Sequence, residues 1–239
     1  MKVVFSIEGT TGRIELAAPP ANALERPDFI DLDALQGFLA TPALKGVVLV
    51  GAGRHFSGGA DPAKLQQALA DPGALALGLT EGKRLLDALA DATVPVVAAI
   101  RGQCLGAGLE LALACHFRVA GAGSMFGFPE ASRGLLPGLG GTAPLGAHPS
   151  RQALVDLMLT ARLVGADEAL ALGLVDRLVP TATVEQAAAR WIAELTAART
   201  PRQVRAVLEA IHNGRRLPRA EALRRETQLF LQLAKELPS

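Results

Sequence analysis

Two uninterrupted apolar runs, Val47–Val50 and Pro95–Ile100, constrain this chain most, because each stops at glycine: Gly51-Ala-Gly53 after the first, Arg101-Gly102 after the second. A strand with one wet face alternates apolar and polar residues, whereas an unbroken run is buried on both faces. Strands of that kind need helices on either side. Helical spacing is present from about Glu81 to Ala90 and from about Ala107 to Cys115, and a short strand, Phe117–Ala120, follows. Val3–Ile7 and Arg13–Ala17 around Gly9-Thr10-Thr11-Gly12 predict an opening hairpin. Phe29, Leu32, Leu35 and Leu39 predict a helix from about Pro27 to Leu39. Beyond Arg151 strand signals largely disappear. Helices are predicted from about Ala166 to Gly173 and over Val184–Leu195, Pro201–His212 and Arg219–Lys235. The class is α/β with an all-helical C-terminal part, and no fixed-period repeat is present.

Charge removes two function classes. With 24 Lys+Arg against 23 Asp+Glu, a net charge of +1 gives no electrostatic case for a nucleic-acid or anionic-membrane binder. No Tyr and a single Trp leave no stacking platform for single strands. Arg215-Arg216 and Arg224-Arg225 read as a solvated helix face. Cys104 and Cys115 form neither a disulfide framework nor a common metal motif, so no metal site is assigned. Glu8 interrupts any apolar leader, and the longest uncharged stretch, Gly134–Ser150, is too rich in Gly and Pro to span a membrane. A cytoplasmic location is expected.

Three glycine-rich segments carry the chemistry: Gly51-Ala-Gly-Arg-His-Phe-Ser-Gly-Gly-Ala-Asp61, Arg101-Gly-Gln-Cys-Leu-Gly-Ala-Gly-Leu-Glu110, and Phe126-Gly-Phe-Pro-Glu130 with Gly134-Leu-Leu-Pro-Gly-Leu-Gly-Gly-Thr142. Glycine lets bare main-chain N–H groups approach a ligand. A helix beginning near Ala107 would aim free N–H groups and its positive dipole end at an oxyanion. Glu110, one turn further in, would reach the same place, although a first-turn Glu also simply favours a helix start. Glu130 follows Pro129 in an uncharged stretch and could equally cap a helix beginning near Ala131. Together the two carboxylates suit general acid–base work on an anion-stabilised substrate.

These segments resemble the enoyl-CoA hydratase/isomerase (crotonase) family, from the N-terminal hairpin to about Pro180. The likeness rests on Pro20-Ala-Asn-Ala-Leu24, Phe56-Ser-Gly-Gly-Ala-Asp61, Pro95-Val-Val-Ala-Ala-Ile-Arg-Gly102, Leu105-Gly-Ala-Gly-Leu-Glu-Leu-Ala112, Phe126-Gly-Phe-Pro-Glu130, Leu136-Pro-Gly-Leu-Gly-Gly-Thr142 and Ala169-Leu-Ala-Leu-Gly-Leu-Val-Asp176. No single motif is specific; their order is.

The resemblance implies a spiral of ββα units over residues 1–180 and a helical trimerisation region, shortened, over 181–239, in a homotrimer or dimer of trimers. It implies that the N–H groups of Ala60 and Ala107 hold the thioester oxygen of an acyl-CoA, with coenzyme A part of the substrate and no separate cofactor. Glu110 would activate water for addition to Cβ, Glu130 would protonate Cα, and Gly138 would help place the water. Gly58, Asp61 and Gly106 fall in the substrate-binding motifs; Asp61 could orient its loop, but it is read first as a helix cap.

Retention of both glutamates favours hydration over isomerisation or decarboxylation. A non-catalytic scaffold of the same fold, or a nucleotide-binding module, are the other readings, and neither phosphate-loop glycine pattern is present for the latter. This chain departs from the family at Ala107, where many relatives have glycine, at Val94 for a lysine, and at His116 for an aspartate. His116 is read as structural and His55 as a surface residue. The family's CoA-contacting C-terminal extension is expected to be missing, with Lys64 and Lys83–Arg84 as substitute phosphate contacts.

Overall fold

A computed structural model describes residues 1–145 and 150–236; residues 146–149, within the Gly134–Ser150 stretch, and the tail at 237–239 lie outside the described residues. In chain order the elements are β1 (Val3–Glu8), β2 (Thr11–Leu16), α1 (Leu32–Leu39), β3 (Gly46–Gly51), α2 (Pro62–Ala68), α3 (Pro72–Ala90), β4 (Val96–Ile100), β5 (Gln103–Leu105) and α4 (Ala107–Leu113). There follow β6 (Phe117–Gly121), β7 (Met125–Gly127), a 3₁₀ turn (Pro129–Arg133), α5 (Thr142–Leu145), α6 (Arg151–Thr160), β8 (Leu163–Gly165), α7 (Ala166–Ala171) and β9 (Arg177–Val179). A second 3₁₀ turn (Thr181–Thr183) leads into α8 (Val184–Thr196), α9 (Pro201–Arg216) and α10 (Arg219–Ala234).

The main sheet has the order β1-β2-β3-β4-β6-β9, antiparallel only in the opening hairpin. The unbroken apolar runs divide their residues between two cores. Val47 and Leu49 of β3 and Val96, Ala98 and Ile100 of β4 face the larger one. Val48, Val50, Val97 and Ala99 face the other, which α8 closes with Val184, Ala188, Trp191 and Ile192. Period-two alternation is therefore intact, but both faces are dry.

A second sheet, β5-β7-β8, stands beside the first. After β4 the chain enters β5 and then α4; after β6 it enters β7 and then the 3₁₀ turn. After β3 it makes the same excursion through Ser57, which bridges Cys104 of β5, while Cys104 pairs in turn with Phe126 of β7. This is the expected ββα spiral, and it stacks equivalent positions of three successive turns.

Several boundaries differ from the sequence reading. α1 begins at Leu32, not near Pro27, because the Asp31 carboxylate takes the Ala34 N–H at 2.7 Å and starts the helix there. α3 begins at Pro72 rather than Glu81, with Asp71 capping Ala74 and proline at the first position. β5, β7, β8 and β9 were not anticipated; three-residue strands are too short to display a period. α9 continues past His212 to Arg216. Arg205 ties α9 to the body, donating to the Leu39 and Thr41 carbonyls and to Thr93 Oγ1. α10 buries no residue and leaves Phe230 and Leu231 exposed. No helix among the described residues is long and apolar enough to cross a membrane.

Candidate active site

Stacked spiral turns bring distant residues to one place. Ala60 follows Ser57, Ala107 follows Cys104 and Glu130 follows Phe126 at almost the same remove, so the bridges between Ser57, Cys104 and Phe126 align all three. The first two loops touch: a Cβ on Gly59 would come 2.6 Å from Leu105 O and 3.4 Å from Ala107 N. Neither the Ala60 nor the Ala107 main-chain N–H donates to a protein acceptor among the described residues. Ala107 opens α4, as the sequence predicted, so its N–H belongs to the positive end of that helix.

Ala60, Ala107, Glu110, Glu130 and Gly138 line one cavity of about 160 Å³. Its remaining walls are mostly leucines: Leu65 of α2 and Leu69 at its C-cap, Leu75 and Leu79 from α3, and Leu135, Leu136 and Leu139. Arg26 and Lys64 also line it.

The two carboxylates are held differently. Glu110 is 2% exposed, and its Oε1 accepts the N–H groups of Leu139 and Gly141, each at 2.8 Å. Burial raises its pKa, those main-chain donors oppose the rise, and Lys83 adds a small opposing charge. The close approach needs glycine, since a Cβ on Gly141 would fall 2.7 Å from Glu110 Cγ. Glu110 is thus engaged by the 138–141 loop rather than by its own helix start.

Glu130 lies inside a 3₁₀ turn and does not cap a helix at Ala131, because that turn has no side-chain cap. Its Oε2 is buried without a hydrogen-bond partner among the described residues. Burial pushes its pKa up to about 7; its own N–H opposes this, and the Glu110 charge adds to it. A carboxyl group poised near neutrality can hold a proton and release it.

The other predicted residues stand behind the cavity. Gly106 is where glycine is indispensable: its φ is +51°, and a Cβ would come 2.5 Å from Glu130 Oε1. Gly58 binds Ala21 O through its N–H. Asp61 caps α2 by accepting the Lys64 N–H at 2.9 Å. Lys83 and Arg84 do not line this cavity; Lys83 instead borders a neighbouring cavity that Glu110, Gly140 and Gly141 also line, and Arg84 pairs with Glu81. His55 is not a free surface residue: its Nδ1 takes the Gln103 N–H at 3.1 Å, bracing β5. His116 is structural as read, its Nδ1 taking the Val96 N–H at 3.1 Å.

Sequence reasoning missed Arg26 and the grip of Leu139 and Gly141 on Glu110. The Gly138-Leu-Gly-Gly141 run was the available signal for the second. It also assigned no role to Asn22 or Ser57, both fully buried and polar.

The family model for enoyl-CoA hydratase/isomerase matches residues 6–238. A Rhizobium meliloti (strain 1021) protein named "Probable enoyl-CoA hydratase" is 36% identical over 236 residues, covering 97% of this chain and 89% of that one. The human peroxisomal bifunctional enzyme is 40% identical over 175 residues, 73% of this chain but only 23% of its own length, and this chain likewise spans 30% of the Arabidopsis thaliana multifunctional protein AIM1. An enoyl-CoA hydratase from Polaromonas sp. JS666 superposes with a TM-score of 0.85 at 27% identity, over 96% of this chain and 90% of that one. A Thermobifida fusca YX structure in complex with CoA superposes with a TM-score of 0.80 at 28% identity, over 98% and 93%. By motif order, spiral architecture and whole-length match, the chain belongs to the enoyl-CoA hydratase/isomerase family of enzymes.

Proposed function

We propose that this protein adds water across the Cα–Cβ double bond of an enoyl-CoA thioester. The observation that carries the reading is the convergence of two carboxylates and two unpartnered main-chain donors on one apolar-walled cavity. The thioester oxygen accepts hydrogen bonds from the N–H groups of Ala60 and Ala107, which stabilise the charge that develops on it. Glu110, ionised and aimed by Leu139 and Gly141, takes a proton from water as the oxygen bonds to Cβ. Glu130, protonated, gives its proton to Cα. The proton on Glu110 then returns to Glu130, and the pair is reset; the two titrate as a coupled unit. Gly138 adjoins the loop that fixes Glu110 and helps place the water.

The leucine walls receive the acyl chain. Arg26 and Lys64 offer positive charge for the phosphates of coenzyme A, which is carried in by the substrate. That a related structure is in complex with CoA supports a CoA thioester as the substrate. Residues 1–180 carry the reaction. Residues 181–239 serve assembly into a trimer or a dimer of trimers, α8 also covering the sheet; the exposed Ile211, Phe230 and Leu231 on α9 and α10 support a buried contact there.

The test is a screen of straight, branched and cyclic enoyl-CoA thioesters, followed by loss of conjugated absorbance. Turnover of at least one is the expected result. Tight CoA-thioester binding with no loss of conjugation in any of them would overturn hydration.

A further inference from the structure

The two N–H donors belong to different turns of the spiral, and neither loop alone sets the gap between them. One buried side chain touches both. Ser57 Oγ accepts the Gly59 N–H at 3.1 Å and donates to the Asn22 carbonyl at 2.9 Å. On its other side it packs against α4, where a Cβ on Gly108 would come 2.7 Å from Ser57 Cβ and 2.8 Å from Oγ. Gly59 immediately precedes Ala60, and Gly108 immediately follows Ala107.

Both ends of this clamp are fixed. The Ser57 main chain is laced to β5, its N–H donating to Gln103 O and its carbonyl accepting from Leu105 N–H, each at 3.0 Å. Asn22, fully buried at φ +48°, accepts the Ala18 N–H and donates to the carbonyls of Ala52 at 2.9 Å and His55 at 2.7 Å. A non-glycine residue in the left-handed region is retained where the surroundings determine it fully. The Ser57 hydroxyl thus spends its one donor on the Asn22 carbonyl and accepts the N–H of Gly59, the residue that leads into the donor at Ala60.

The geometry assigns Ser57, held by Asn22, as the positioning residue that sets the separation of the Ala60 and Ala107 donors and hence the polarisation of a bound thioester carbonyl. This rests on the oxyanion reading proposed above. Such donors act only where they are fixed in advance against the developing charge. Loosening them costs the transition state more than the bound substrate, so the loss falls on kcat rather than KM.

The probe is 4-dimethylaminocinnamoyl-CoA, whose absorbance moves to the red when its carbonyl is polarised. It is titrated into the wild type, Ser57→Ala and Gly108→Ala, with enoyl-CoA hydration measured in parallel. The second variant wedges a methyl group between the two loops and keeps the test decisive should Ser57→Ala fail to fold. Each variant is expected to bind the probe with a diminished red shift and to lose about 10–100-fold in kcat with KM within about threefold. A wild-type red shift and wild-type kcat in both variants would overturn the proposal. A parallel loss of kcat and affinity with an undiminished shift would overturn it too, making Ser57 merely structural. A wild type that binds the probe without any shift would instead sink the oxyanion reading itself, and this proposal with it.

Discussion

Glu130 keeps a buried carboxyl oxygen without a hydrogen-bond partner among the described residues, in the same cavity where Glu110 Oε1 takes two main-chain N–H groups at 2.8 Å. Main-chain donors favour the ionised form and isolation in an apolar wall favours the protonated one, so the pair is biased toward opposite protonation states. That asymmetry is what an addition of water needs: a base on one side of the double bond and an acid on the other.

Replacing either group should be catalytic rather than structural in effect. Glu110→Gln and Glu130→Gln are each expected to lower turnover by about 10²–10⁴-fold with the circular dichroism spectrum unchanged. Near-normal hydration in either variant would assign that glutamate a structural role.

The raised pKa of Glu130 makes two linked predictions. In its proposed role as proton donor it must be protonated, so kcat/KM is expected to fall as pH rises through about 7, and this limb to disappear in Glu130→Gln. A carboxyl that binds its proton more tightly when folded contributes stability fully below its ordinary value of 4.5, and that contribution is lost as pH rises through about 7. Glu130→Gln should therefore gain Tm over the wild type at pH 8 and not at pH 4. An equal difference at both would show that Glu130 does not titrate in this window.

Gly106 tests whether the glutamate geometry depends on the turn beneath it. With φ +51° and ψ −126° the position suits glycine alone, so Gly106→Ala should cost about 1–3 kcal/mol of stability by denaturant unfolding. Its new methyl would displace Glu130 Oε1, and kcat should fall by about 10²-fold. Unchanged kinetics in a destabilised variant would separate the turn from the chemistry.

His116 and His212 join the body to α9. Their Nε2 atoms stand 3.4 Å apart, and the Val96 N–H on His116 Nδ1 leaves the shared hydrogen between the two rings. Burial first, then the charges of His212, Arg215 and Arg118, lowers His116 to about 4; burial also lowers His212, with Asp91 opposing and Arg215 and Arg216 reinforcing. A depressed pKa means stability present above about 6.5 and lost as pH falls toward about 4. Amide exchange in α9, corrected for intrinsic rates, should be faster at pH 5 than at pH 7, and His212→Gln should flatten that difference. Identical pH dependence in the variant would contradict it.

Much of this was legible before any coordinates. Val47–Val50 and Pro95–Ile100 announced strands with two dry faces because nothing polar interrupts them, and the glycine-bearing loops beyond them announced where main chain would be left open. What stayed hidden depends on the stacking of spiral turns. Nothing near Glu110 in the chain says that Leu139 and Gly141 will hold it, and Ser57 and Asn22 look like ordinary loop residues until the fold buries them. The helix at Leu32 was misplaced because Phe29 fits the periodicity, while the capping bond of Asp31 decides the start. Lys83 shows the same limit, since its charge reaches Glu110 from α3 and nothing around either residue in the chain announces it.

The most direct measurement is isotopic. Incubation of an accepted enoyl-CoA with the enzyme in H₂¹⁸O and, separately, in D₂O should give a 3-hydroxyacyl product carrying one ¹⁸O at Cβ and one deuterium at Cα, as mass spectrometry would read. Deuterium incorporation with a shifted double bond and no ¹⁸O in the acyl chain would contradict hydration as the reaction of this site.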